Sequence, residues 1–181
     1  MPELRDAGRV ADVGAGAGFP GLVLAAALPG AEVDLIESVT RKAEFIAEAV
    51  EAAGIANARG VPQRSEEHAA EPPPAGGREA YDAVTARAVG RLATLAELAS
   101  PLLRAGGVLI AWKGRRDPEE EAELARAVEA TAMVPEAVLD VGAEAGYEHR
   151  HLHVVRKVGA TPSNLPRRAG IAKKRPYGAR K

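Results

Sequence analysis

The chain has 181 residues, 46% of them hydrophobic and 27% charged, with a formal net charge of −1. That length suits one domain with a sizeable core and leaves no room for a second full one. Cysteine is absent, which excludes disulfides, thiolate metal sites and a covalent cysteine nucleophile, and fits a reducing compartment. No stretch approaches the roughly 20 apolar residues of a membrane helix. Met1 to Val10 also lacks the charged-then-apolar layout of a signal peptide. A soluble, cytoplasmic protein with no membrane partner is expected. The charge is unevenly spread: residues 156–181 carry nine Lys or Arg and neither Asp nor Glu, so the remainder carries −10. Such polarity suits a polyanionic partner, although charge alone favours the plainer reading of a solvated tail.

Arg9 to Val13 reads as a short apolar strand that runs into Gly14-Ala15-Gly16-Ala17-Gly18-Phe19-Pro20-Gly21. Leu22 to Leu28 follows as a helix, with Pro20 tolerated near its first turn. Pro29-Gly30 turns the chain into a second strand, Ala31 to Glu37. Ser38 or Thr40 is the expected cap of a helix that runs to about Ala53 and stops at Gly54. A weaker strand, Ala58 to Val61, and a short helix near Ser65 to Ala70 precede a proline- and glycine-rich loop at 72–77. Tyr81 to Ala86 is a fourth strand, and Leu92 to Leu103 a helix interrupted at Pro101. Gly106-Gly107 leads into Val108 to Trp112, a strong buried-strand signal. Asp117-Pro118-Glu119-Glu120 has the layout of a capped helix start, and that helix reaches about Met133. Pro135 to Val141 and His151 to Val155 close the chain as a strand pair with no helix between them, hence antiparallel. Alternating strands and helices predict an α/β fold: a mostly parallel, seven-stranded, Rossmann-like sheet with helices on both faces.

A strand, a glycine-rich turn and a helix start together make a nucleotide-binding device. Two frames overlap here. Residues Gly16 to Gly21 fit the dinucleotide pattern G-x-G-x-x-G, while Asp12 to Gly18 fit D-x-G-x-G-x-G, the pattern of methyltransferases that bind S-adenosylmethionine. In the first frame a pyrophosphate would sit close to the Asp12 carboxylate. S-adenosylmethionine instead brings an ammonium and a sulfonium that a carboxylate attracts. Glu37, at the end of the second strand, stands where an acid accepts hydrogen bonds from ribose hydroxyls, and serves either cofactor. Length favours the methyltransferase, since a nicotinamide-dependent oxidoreductase usually needs a further substrate domain. A tight turn with no ligand is the remaining plain reading.

Methyl transfer from a sulfonium can rest largely on positioning. Pyrimidine carbon-5 needs a cysteine nucleophile, which this chain lacks. Exocyclic amines commonly use an Asp/Asn-Pro-Pro-aromatic motif, and Pro72-Pro73-Pro74 has neither acid nor aromatic. A guanine N7 carries a free lone pair and needs no base. Arg87 follows the fourth strand, at the ligand-facing end of the sheet, where it can bind cofactor or a base edge or be a structural ion pair. Lys113 after Trp112 is a weaker candidate of the same kind. The four histidines show no metal spacing, and His149, His151 and His153 are expected at the surface or a pocket edge.

The series Asp12 to Gly21, Arg64-Ser65-Glu66-Glu67, Thr85-Ala86-Arg87-Ala88-Val89 and Trp112-Lys113-Gly114 resembles the bacterial small-subunit ribosomal RNA guanine-N7 methyltransferases, also called glucose-inhibited division protein B. Thr161-Pro162, residues 166–170 and Lys174-Arg175-Pro176 are similar to that family's basic end. The resemblance implies a class I methyltransferase that uses S-adenosylmethionine and modifies a guanine of 16S ribosomal RNA, free or in the small subunit. It implies that Asp12, Gly14, Gly16, Gly18 and Phe19 line the cofactor site, that Glu37 takes the ribose and that Ser65 and Glu66 flank the adenine. Arg87 would stand at the cofactor–substrate junction. Lys113, Arg167, Arg168, Lys173, Lys174 and Arg175 become RNA-binding candidates, and the tail reading shifts toward RNA phosphates. The expected organisation is a methyltransferase domain at 1–157 and a basic tail at 158–181, monomeric and metal-free. Members of the family carry a helical segment before the first strand, whereas this sequence begins almost at the strand. A truncated relative that binds cofactor or RNA without turnover is the alternative.

Overall fold

Apolar runs bounded by glycine and proline turns become strands, and the longer periodic runs between them become helices that pack back on the sheet. The computed structural model describes residues 2–142 and 149–179. The chain runs through α1 (Pro2–Arg5), β1 (Arg9–Val13), α2 (Gly21–Ala27), β2 (Glu32–Ile36), α3 (Thr40–Ala52), β3 (Ala58–Val61) and α4 (Ser65–His68). It continues through β4 (Tyr81–Arg87), α5 (Leu92–Ala99), β5 (Leu103–Lys113), α6 (Pro118–Arg126), α7 (Val128–Thr131), β6 (Met133–Asp140), β7 (His151–Lys157) and α8 (Ile171–Lys174). The strands form one seven-stranded sheet in the order β3-β2-β1-β4-β5-β7-β6. The first five strands are parallel, and β7 lies antiparallel between β5 and β6.

The order has a functional consequence. From β1 the chain winds outward to β2 and β3, then returns to lay β4 on the other side of β1. The carboxyl ends of β1 and β4 therefore flank a topological switch point, where the following segments diverge and leave a crevice. Strand alternation builds the two layers that enclose it. Val10, Leu35, Ala83 and Ile110 pack on one face with Ala25 of α2 and Ile46 of α3. Ala11, Ile36, Val84 and Leu109 pack on the other with Leu92 and Leu95 of α5 and Leu124 of α6.

Local boundaries differ from the sequence reading where a tertiary partner intervenes. Neither Ser38 nor Thr40 caps α3. The N-cap is Val39, whose N–H donates instead to Glu37 Oε1 at 2.8 Å. α5 ends at Ala99, ahead of Pro101, because a proline has no N–H with which to continue the helix; Ser100 before it still keeps helical angles. β5 then begins at Leu103, with a register shift opposite Tyr81 and Ala83. The Asp117 cap does form: its Oδ1 accepts from Glu119 N at 3.0 Å and Glu120 N at 3.3 Å. The helix it starts breaks at Ala127 into α6 and α7 and stops at Ala132, which is left-handed at φ +55°.

One buried polar cluster ties four strands together. Asp34 of β2 is 2% exposed and accepts from the Tyr81 hydroxyl at 2.6 Å, Arg59 Nε at 2.5 Å and Arg9 at 2.9 Å. Tyr81 is also bonded to His68 Nε2 at 2.7 Å. Burial by itself would raise the Asp34 pKa, but the bonds from Arg59 and Tyr81 and the two guanidinium charges hold it below its ordinary value. Burial pushes the His68 pKa down. The folded protein therefore takes up a proton at His68 less readily than the unfolded chain, which does so as pH falls through about 6.5. The unfolded state then binds more protons, so this group's contribution to stability is lost on acidification. Urea unfolding should show wild type losing its advantage over His68→Gln as pH drops from 8 to 5; an advantage that grows on acidification would refute the assignment.

Candidate active site

The turn after β1 is shaped by backbone bonds that its sequence makes possible. Gly14 and Ala15 donate to Ile36 O at 2.9 and 3.2 Å, fastening the turn to the end of β2. Gly16 N–H donates to Glu37 Oε2 at 3.0 Å, so the two strand ends are joined a second time through a side chain. Gly14 lies at φ +69°, and a Cβ there would come within 2.6 Å of Val89. Gly16 lies at φ +59°, and a Cβ there would project into open space, nearest to Gly14 O at 3.8 Å. Both positions need glycine for the left-handed backbone, and Gly16 alone of the two leaves its side-chain volume free for a ligand.

Asp12 sits under this turn and is 1% exposed. Its Oδ2 accepts the Gly21 N–H at 2.8 Å, which pins the start of α2. Its Oδ1 is buried and has no hydrogen-bond partner. Burial drives the Asp12 pKa up to about 7, against the lowering effects of Gly21 N–H and the Arg87 charge, with the nearby Glu37 charge adding to the rise. An orphaned carboxylate oxygen is expensive to bury, and this one lies beneath the glycine turn at the switch point.

Two clefts open from the ends of the strands. One, of about 210 Å³, is lined by Gly14, Ser38, Ser65, Glu66, Val89 and Lys173, among others. The second, about 670 Å³, is lined by Arg87, Ala88, Trp112, Lys113, Val141 and His151, among others. The chain passes from one to the other between Ala88 and Val89, and Ala88 takes the left-handed φ of +60° that this sharp exit demands. Arg87 is exposed, and no carboxylate partner holds it among the described residues. Trp112 is half-buried and donates through Nε1 to Thr85 Oγ1 at 2.9 Å, which fixes the ring at the second cleft's wall.

The sequence-derived candidates fall into groups. Asp12, Gly14, Gly16, Gly18 and Glu37 converge on the turn, with Gly18 at φ +87°. Glu37 is 6% exposed, and its oxygens already accept from Gly16 and Val39. Each carboxylate oxygen keeps a second lone pair for a ligand hydroxyl. Phe19 is 50% exposed and lines neither cleft. Ser65 is buried and bonds Glu66 Oε2 at 3.3 Å, whereas Glu66 Oε1 is taken by Gly170 N–H at 2.7 Å.

Two RNA candidates are engaged within the protein. Lys113 Nζ donates to Glu120 Oε1 at 2.6 Å and Gly90 O at 3.1 Å, while the same Glu120 oxygen accepts Leu92 N–H at 2.7 Å. That ammonium therefore locks α6 to the start of α5. Arg167 is forked onto the buried Glu97 at 2.6 and 2.5 Å. The tail is also no free arm over its described length: Lys157 and Arg156 pair with Glu79 and Glu136, and Arg126 Nε donates to Gly178 O at 2.7 Å. Arg168, Lys173, Lys174 and Arg175 remain exposed. His153, expected at the surface or a pocket edge, is 4% exposed and lines a cleft beside Glu121, Leu124 and Val138; β7 buries residues on both of its faces. Missed altogether were Thr94 and Leu98, which line the smaller cleft from within an apolar helix run. Among the described residues, no group of three or more His, Asp or Glu could hold a metal ion, and no helix is long and apolar enough to cross a membrane.

A glycine turn at the switch point of this sheet defines a Rossmann-like methyltransferase fold. A geranyl diphosphate methyltransferase solved with S-adenosylmethionine is similar with a TM-score of 0.63 at 16% identity, covering 83% of this chain and 78% of that one. An S-adenosylmethionine-dependent methyltransferase from Aquifex aeolicus gives 0.60 at 19% identity, over 83% and 82%. More particularly, the family model of rRNA small subunit methyltransferase G matches residues 1–153. The chain belongs to that family. The ribosomal RNA small subunit methyltransferase G of Pelotomaculum thermopropionicum is 38% identical over 96% of this chain and 71% of its own length. That of Rubrobacter xylanophilus is 45% identical over 96% of this chain and 66% of its own.

Asp12 yields a direct test. A carboxyl whose folded pKa lies above its unfolded value costs stability as pH rises from about 4 toward 7, because the folded state binds more protons across that window. Asp12→Asn removes the charge and keeps the shape. Between pH 5 and pH 8 it should gain on wild type by on the order of 2 kcal/mol in urea unfolding. A constant difference across that range would mean that Asp12 ionises as an ordinary carboxylate.

Proposed function

We propose that this chain transfers a methyl group from S-adenosylmethionine to N7 of a guanine in 16S ribosomal RNA. The observation that carries the reading is the Asp12 carboxylate, buried with one oxygen unsatisfied beneath an open glycine turn at the switch point. Family membership supplies the substrate class.

The residues fit the cofactor. Asp12 offers negative charge where an ammonium or sulfonium is favoured over a phosphate. Gly16 leaves open volume above the turn, and Glu37 has lone pairs for ribose hydroxyls. Ser65 and Glu66 border the smaller cleft, which suits the adenine. When bound, S-adenosylmethionine supplies an electrophilic methyl group on sulfur. The protein's own task is then to orient a lone pair toward it and to exclude water. Guanine N7 needs no deprotonation, so no general base is required and positioning dominates. Arg87, exposed on the larger cleft at the end of β4, presents the fork that pairs with a guanine O6 edge. The Trp112 ring in the same cleft offers a flat apolar wall for a base. Arg168, Lys173, Lys174 and Arg175 are the proposed phosphate contacts, on a tail that serves the 1–157 methyltransferase domain. A ribosomal RNA substrate places the reaction in the cytoplasm, and a monomer without metal suffices for it.

Labelled S-adenosylmethionine incubated with unmodified 16S ribosomal RNA or small subunits should give label at one guanine. Binding of S-adenosylhomocysteine without any transfer would mark the chain as a binding module instead. Arg87→Ala should lower kcat/KM about 100-fold or more, while S-adenosylhomocysteine affinity changes less than about tenfold. Equal losses in both would move Arg87 to the cofactor. Neutralising Arg168, Lys173, Lys174 and Arg175 together should flatten the dependence of log K for RNA on log salt by about 3, as four phosphate contacts on a single strand require. An unchanged slope would place the RNA elsewhere.

A further inference from the structure

The loop between residues 164 and 177 is built around one guanidinium. Arg167 makes two parallel bonds to Glu97, at 2.6 and 2.5 Å, and Glu97 is 3% exposed. The same Arg167 donates to Arg175 O at 2.8 Å and stacks 4.1 Å from the centroid of the Tyr177 ring. The Tyr177 hydroxyl in turn accepts from Asn164 Nδ2 at 2.8 Å. Thr94, one turn before Glu97 on α5, donates to Ala172 O at 3.3 Å. The loop is thereby closed on itself and clamped to α5.

What the clamped loop presents inward is specific. Gly170, at φ +80°, donates its N–H to Glu66 Oε1 at 2.7 Å. Gly170, Ala172 and Lys173 then line the 210 Å³ cleft together with Gly14 and Ser65. Only a flat five-donor fork can satisfy both Glu97 oxygens and still reach a carbonyl while stacking on a ring.

We propose that Arg167 is a positioning residue for the cofactor: by clamping the tail to α5 it supplies one wall of the cofactor cleft and the N–H that aims Glu66. The proposal rests on the cofactor reading given above. Arg168, Lys173, Lys174 and Arg175 lie exposed on the same loop. A polyanion held on them stabilises the docked loop, so RNA and cofactor strengthen each other's binding, each by the same factor.

Removing Arg167 alone strands a buried carboxylate, which is destabilising in its own right. The test therefore uses the full-length double variant Arg167→Ala/Glu97→Gln beside Arg167→Lys. S-adenosylhomocysteine is titrated calorimetrically with and without a 16S ribosomal RNA transcript, and amide exchange is followed at residues 170–175. The double variant should bind S-adenosylhomocysteine about five- to tenfold more weakly, with faster exchange in the loop and a Tm within about 3 °C of wild type. The transcript should tighten S-adenosylhomocysteine binding by wild type about fivefold and leave the double variant's unchanged. Arg167→Lys should fall between them, because a single ammonium cannot fork. Wild-type affinity in a variant whose loop has been released would overturn the proposal. So would slow loop exchange, which would show that Arg167 does not hold it, or a double variant that fails to fold, which would make the pair purely structural. A wild-type protein that binds no S-adenosylhomocysteine would instead remove the cofactor reading underneath.

Discussion

A carboxylate placed where water cannot reach it is the constraint on which this molecule turns. Asp12 stands one residue before the end of β1, and its neighbours on the sheet leave one of its two oxygens unsatisfied. One oxygen positions α2 through Gly21 N–H, and the other is buried without a partner. The glycine turn, Glu37 and the approach of Arg87 are all arranged around that point. A charge kept this close to neutrality by burial is an unfavourable feature of the folded chain taken alone. Its retention is intelligible as preorganisation, with desolvation borne at folding rather than at each binding event.

Much of this was legible in the sequence, for identifiable reasons. β1 begins and ends where its apolar run does, because a short hydrophobic stretch between glycines has few other uses. The Asp117 cap was legible because capping is settled within four residues. The converging turn was legible because three alternate glycines after a strand restrict the backbone to a few shapes. What escaped was partnership, the strongest of it across long separations. Glu97 and Arg167 are 70 positions apart, and Glu66 and Gly170 are 104 apart. Nothing near Lys113 announces that Glu120 will claim its ammonium, since a cation reads the same in a sequence whether it meets solvent or a carboxylate. The α3 cap failed similarly: Ser38 and Thr40 have the right chemistry, but Glu37, set by the sheet, reached the Val39 N–H.

The tail shows how one segment can serve two ends at once. Arg156, Lys157 and Arg167 are matched to Glu136, Glu79 and Glu97 and give the segment a fixed course. The burial of Lys157 is deep enough to lower its pKa, and its bonds to Leu103 O, Thr161 and Glu79 are what make that burial tolerable. Arg168, Lys173, Lys174 and Arg175 stay outward. The division follows from side-chain burial and could not have been drawn from composition.

The unequal sharing of charge between body and tail has a kinetic meaning. With −10 on residues 1–155 and the surplus cations gathered after them, a nucleic acid approaching from most directions meets a field that turns it away. On the proposed RNA reading, attraction is found where Arg168, Lys173, Lys174 and Arg175 stand exposed, on a loop that borders one of the two clefts. Orientation is thus imposed during diffusion, before any base has been inspected, and collisions on the wrong side are discarded at no conformational cost.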